Sequence, residues 1–165
     1  MRNAKRAALA LALTSTTLGA CSDDDGTPAA GATTRGTVMS TSATASRNAI
    51  VIKTQFVDFD GTVLAGSTIG DAPFCPGGTL HHKAGSPEIG HPAVNVFTCK
   101  TGRLEIGFGP GPDQMNNRVQ TSDWDVVTGT GEFAGATGSG RMTVEFPSVG
   151  ASRGRETFTG TIIVP

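Results

Sequence analysis

Arg103-Leu104-Glu105-Ile106-Gly107-Phe108 alternates residues that suit water with residues that suit a core, and this alternation decides the fold class. A period of two is the signature of a strand with one buried face, because successive side chains point to opposite sides of the pleat. Asp123-Trp124-Asp125-Val126 repeats the pattern, and so does Arg141-Met142-Thr143-Val144-Glu145-Phe146. The phase predicts Leu104, Ile106, Phe108, Trp124, Val126, Met142, Val144 and Phe146 inward.

The surrounding sequence extends this reading. Thr157 to Val164 is rich in Thr, Ile and Phe, which fit a pleated surface. Asn48 to Phe59 reads as a longer strand. Ile50, Ile52, Thr54 and Phe56 share one face of it, and the same phase carries on to Asp58. From Arg47 to Pro165 there are nineteen glycines and only three leucines, Leu64, Leu80 and Leu104. No window of ten residues there has helical spacing. Seven or eight short strands joined by Gly-rich turns predict an all-β antiparallel barrel or sandwich.

Residues 1–21 read as a lipoprotein signal peptide. Arg2, Lys5 and Arg6 form a positive n-region, and Ala7 to Leu13 is an apolar run too short to span a bilayer. Leu18-Gly19-Ala20-Cys21 resembles the bacterial lipobox, which makes Cys21 the lipidation site. Residues 22–46 read as a disordered tether of Ser, Thr, Ala and Gly with Asp23, Asp24 and Asp25 as a solvated charge run. Residues 47–165 form one domain, long enough for a core of its own. The expected location is therefore the bacterial cell envelope, extracytoplasmic, with the membrane as a partner through the lipid anchor.

The domain carries nine Lys/Arg against eleven Asp/Glu, and no run of basic residues stands out. That argues against nucleic acid as a partner. With Cys21 lipidated, Cys75 and Cys99 are the remaining cysteines, and in an exported chain they are expected to form a disulfide. His81, His82 and His91 lie in the same region. Adjacent residues of a strand face opposite ways, so His81 and His82 cannot both ligate one ion without distortion. The cysteines are better used as a disulfide, and too few ligands are left for a closed metal site. Surface imidazoles, no metal and no cofactor are expected.

Two short motifs resemble enzyme signatures. Asp58-Phe59-Asp60-Gly61-Thr62-Val63-Leu64 resembles motif I of haloacid-dehalogenase-type phosphatases, which would make Asp58 the nucleophile and Asp60 the acid/base. Those enzymes need a parallel sheet flanked by helices, and the rest of the chain lacks helical periodicity. Asp-x-Asp-Gly is also a strand running into a turn, so the phosphatase stands as a remote alternative. Gly129-Thr130-Gly131-Glu132-Phe133-Ala134 fits a dinucleotide fingerprint. That motif works only at the start of a helix, and the Gly-rich residues 135–140 form a poor one.

The run from Trp124 to Gly140 resembles the repeated element of bacterial secreted proteins with an allene-oxide-cyclase-like, or dirigent-like, β-barrel. The shared pattern is a tryptophan strand, a Gly-x-Gly turn, a short aromatic-Ala-Gly piece, then Gly-x-Gly into the next strand. Glu156-Thr157-Phe158-Thr159-Gly160-Thr161 and Cys75-Pro76-Gly77-Gly78-Thr79 resemble further segments of the same proteins. The resemblance implies a single small antiparallel barrel. Its cyclase members isomerise an epoxide in an apolar cavity, and its dirigent members orient phenoxy radical coupling. No catalytic residue of either carries over to this sequence. The function expected is a lipid-anchored, non-catalytic barrel module that binds a small apolar ligand or serves an envelope interaction. An allene-oxide-cyclase-like isomerase is the alternative. Phe56, Asp58 and Trp124 are the candidate cavity residues.

Overall fold

A computed structural model describes residues 46–111, 114 and 116–165. Residues 1–45, which include Cys21 and the segments read as signal peptide and tether, lie outside the described residues. Ten strands follow in chain order: β1 (Ser46–Val57), β2 (Asp60–Val63), β3 (Thr68–Ile69), β4 (Ala72–Pro73), β5 (Thr79–Ser86), β6 (His91–Thr98), β7 (Gly102–Phe108), β8 (Val119–Gly131), β9 (Thr137–Glu145) and β10 (Arg153–Val164). A short 3-10 turn, Pro87–Ile89, joins β5 to β6.

Eight of these strands close a barrel. The order β10-β9-β8-β7-β6-β5-β2-β1 runs antiparallel throughout, and β1 pairs with β10 along its whole length, from Ser46↔Val164 to Val57↔Arg153. Closure pairs β1 and β10 fully, while β2 bridges β1 to β5 through short ladders at Thr54–Val57 and Thr79–His81. The small β3–β4 hairpin pairs with β1 through Ile50↔Ile69 and Val51↔Thr68. The expected all-β antiparallel barrel is therefore the fold. The barrel has eight strands, within the expected seven or eight, and β3 and β4, too short to show a period in the sequence, lie outside its closed circuit.

The alternation does what a period of two requires. Leu104, Ile106, Trp124, Met142 and Val144 are buried, and Phe108, Val126 and Phe146 are partly buried against them. In β1, Ile50, Ile52, Thr54 and Phe56 point inward. The middle of the barrel is filled by Ile52, Phe97, Leu104, Ile106, Trp124 and Phe158, all with no exposed surface. A bulge opposite Glu105 and Ile106 admits Val127 as an extra residue in β8 and bends that wall.

The barrel end at which β1 starts and β10 finishes is plugged. Phe74 packs against Phe97 at 5.5 Å and against Phe133 at 5.8 Å. Cys75 and Cys99, 24 residues apart, are bonded beside this plug with their Cα atoms 5.0 Å apart. The bond ties the β4–β5 connection to the end of β6. By the chain-entropy model a loop of this size stabilises by about 3 kcal/mol. Reduction is therefore expected to lower the unfolding free energy measured in urea by about that amount without changing the far-UV circular dichroism spectrum. Loss of the β spectrum on reduction would show that the bond maintains the fold itself.

Candidate functional site at the barrel rim

At the opposite end the buried Phe56 ring covers the interior. Here β1 and β9 finish, and β2, β8 and β10 begin. A concavity of about 890 Å³ lies at this rim, within the roughly 300–1,000 Å³ range typical of small-molecule sites. Its apolar wall is Phe56, Phe146, Pro147, Val57 and Val119. The Phe56 and Phe146 rings meet edge to face at 6.0 Å. Two glycines make room for Phe56. Gly61 and Gly154 are its partners on β2 and β10, and a Cβ on Gly154 would lie 2.8 Å from the Phe56 ring. The polar part of the lining includes Arg118, Arg153, Arg155, Glu145 and Asp60. Asp60 already meets His81 Nδ1 at 2.8 Å.

One layer deeper, polar side chains bridge the barrel interior. Glu156 on β10 is 2 % exposed, and Thr54 and Asn95 are fully buried. Thr54 Oγ1 donates to Glu156 Oε2 at 2.9 Å, and Asn95 Nδ2 donates to both carboxylate oxygens at 3.1 Å. His82, the cross-strand partner of Asn95, places Nε2 3.2 Å from Glu156 Oε1. That distance suits an ion pair, but the two atoms are not aligned as a hydrogen bond, and Nε2 has no other partner. Asn95 Oδ1 is a buried acceptor without a partner among the described residues. Phe56 roofs the group, with its ring 4.8 Å from the His82 imidazole. A buried carboxylate persists only when donors surround it. Thr54 and Asn95 are those donors, His82 Nε2 lies within ion-pair distance, and Asn95 Oδ1 stays free to accept one more hydrogen bond.

The residues singled out in the sequence are distributed differently. Phe56 lines the rim. Asp58 leaves the inward face: it occupies the two-residue turn between β1 and β2, exposed, with φ at 55°. Its N–H donates to Ser152 O at 2.6 Å. Asp and Asn are the non-glycine residues that best tolerate this conformation. The Asp58–Asp60 motif therefore sits on an antiparallel hairpin, not on a parallel strand feeding a helix as a phosphatase requires. Trp124 lies within the packed barrel, with Nε1 donating to Thr159 O at 3.2 Å. The structure does not bring Phe56, Asp58 and Trp124 together.

The histidines divide as the alternation demands, but not all stay on the surface. His81 faces out to Asp60, whereas His82 faces in to Glu156. His91 lies 3.7 Å from Asp125. Among the described residues, no three His, Cys, Asp or Glu side chains group closely enough to hold a metal ion. His82, Asn95 and Glu156 were missed as site residues, yet the signal was present. Each shares its phase with inward apolar neighbours: Leu80, Phe97 and Phe158.

Fold and site together define a closed eight-stranded antiparallel barrel with one plugged end, a concavity at the opposite rim and a buried carboxylate beneath Phe56. Compared with known proteins, the chain matches no protein-family model, no curated protein and no solved structure.

Proposed function

We propose that this chain is an extracytoplasmic barrel module, held on a bacterial membrane by lipid on Cys21, that captures a small apolar or amphipathic molecule in the concavity at its rim. The observation that carries the binding role is the concavity at Phe56 and Phe146, which combines aromatic walls with polar groups at its border. The anchor rests on Leu18-Gly19-Ala20-Cys21 and the positive n-region before it. Membership of the allene-oxide-cyclase-like barrel proteins rests on the Trp124–Gly140 pattern and accords with a small antiparallel barrel.

A second reading is an isomerase of the cyclase type. It draws on Glu156, His82 and Asn95, which provide a carboxylate, an imidazole and a free acceptor beneath the rim. The two readings differ in the fate of the captured molecule. A binding module returns it unchanged, whereas an isomerase returns a rearranged product of the same mass.

One experiment tests the proposal. Protein extracted from its native membrane is expected to show, by mass spectrometry, a lipid-modified Cys21 as the first residue. A co-purifying small molecule is expected in organic extracts, and its amount should fall when Phe56 is replaced by Asp. An unmodified Cys21 would overturn the anchor. Extracts of the two proteins that carry the same molecules in the same amounts would overturn capture at the rim.

A further inference from the structure

On the reading that the rim concavity binds a small molecule, we infer that its ligand is a phosphate monoester of an apolar alcohol. Arg118, Arg153 and Arg155 line the same concavity as Phe56 and Phe146. They are dispersed in the sequence and converge through the sheet register. Arg153 and Arg155 lie two apart on β10, so they project about 7 Å apart from the outward face of the wall, opposite to Glu156, and share the concavity with Phe56 and Phe146 across the rim. They pair with Val57 and Gln55 on β1, and Arg155 also pairs with Glu145 on β9. Arg118 precedes β8, and its Nε donates to Phe146 O at 3.4 Å.

These guanidiniums have little to neutralise them. The arginine ion pairs of the described residues belong to Arg103 and Arg141. Arg153 and Arg155 make neither an ion pair nor a side-chain hydrogen bond there. Two carboxylates share the lining, and Asp60 is engaged by His81. Three guanidiniums against these two carboxylates leave a net positive lining that favours an anion. A carboxylate offers two acceptor oxygens, and a phosphate monoester offers three, with about 1.5 to 2 negative charges at neutral pH. Guanidinium forks suit such oxyanions, and several can share one phosphate. The aromatic wall beside the arginines gives the ester's apolar part a surface to cover.

The test uses the full chain with Cys21→Ser, so that no anchoring lipid competes. Decyl phosphate, decanoate, decanol and inorganic phosphate are titrated by calorimetry. Decyl phosphate is expected to bind at least about tenfold more tightly than decanol, and more tightly than decanoate. The advantage should shrink in high salt. It should also fall about tenfold in Arg153→Gln/Arg155→Gln, whose circular dichroism spectrum and melting temperature confirm folding. Equal affinities for decyl phosphate and decanol, or an unchanged preference in the double variant, would overturn the inference while leaving rim binding intact. Inorganic phosphate binding as tightly as decyl phosphate would overturn the apolar part of the assignment. Binding to phosphatidic acid vesicles without binding of soluble decyl phosphate would show a membrane surface as the source of the anion and overturn it too. If neither decanol nor decyl phosphate binds, rim capture itself fails.

Discussion

Gly160→Ala is expected to cost about 3–5 kcal/mol of folding stability, combining backbone strain with overpacking. Gly160 on β10 pairs directly with Gly140 on β9, and Gly140 pairs in turn with Trp124 on β8. The indole lies over this glycine pair with no exposed surface. A Cβ on Gly160 would lie 2.7 Å from Gly140 Cα and 2.9 Å from Trp124 Cζ2. The first of these atoms belongs to the backbone and cannot swing aside. Gly160 also holds φ at 154°, which a residue with a side chain rarely adopts. A domain of this size has about 5–15 kcal/mol in total, so the variant should lose much of its margin. Gly150→Ala is the control, since Gly150 has positive φ but open space around it. It should cost about 1 kcal/mol. Urea denaturation followed by circular dichroism separates the two. A Gly160→Ala cost no larger than that of Gly150→Ala would mean that the indole does not need the glycine floor.

Period-two alternation exposes the inward residues of β7, β8 and β9 because the outward positions of those strands carry mostly polar or small side chains. The first strand reads correctly up to Phe56, and then the pattern continues onto Asp58 although the chain has already turned. The Asp-x-Asp-Gly turn signal and the strand phase compete there, and the turn prevails because Asp58 can adopt a positive φ. Cys75 and Cys99 are legible because, on the expectation of export, a disulfide is their most economical use. His82 is hidden for a different reason. Adjacency to His81 shows that the two diverge, but only the phase of Leu80 shows which one goes inside. The arginine group is hidden more deeply. Nothing local links Arg118 to Arg153 and Arg155, and only the register of β1, β9 and β10 gathers them at one rim.

Glu156→Ala is expected to destabilise the barrel by about 3–5 kcal/mol, as when one partner of a buried polar pair is removed. The loss is not the worth of the network. It is the cost of stranding the Thr54 hydroxyl and the Asn95 amide without an acceptor, at about 1–3 kcal/mol for each unsatisfied group. Glu156→Gln keeps the shape and one carbonyl acceptor, so it should cost less than Glu156→Ala. The informative variant removes the network as a whole. Thr54→Val/Asn95→Leu/Glu156→Leu replaces it with apolar side chains, and such replacements are often neutral or stabilising. If that triple variant equals the parent in urea denaturation, stability does not explain a carboxylate inside an apolar barrel. A role in handling whatever enters beneath Phe56 does. The cyclase-type reading then requires the triple variant to capture ligand without converting it, whereas the binding reading requires a change in affinity and no change in ligand structure. Should Glu156→Ala cost less than about 1 kcal/mol, the polar layer is already open to water, and neither reading can treat Glu156 as a buried carboxylate.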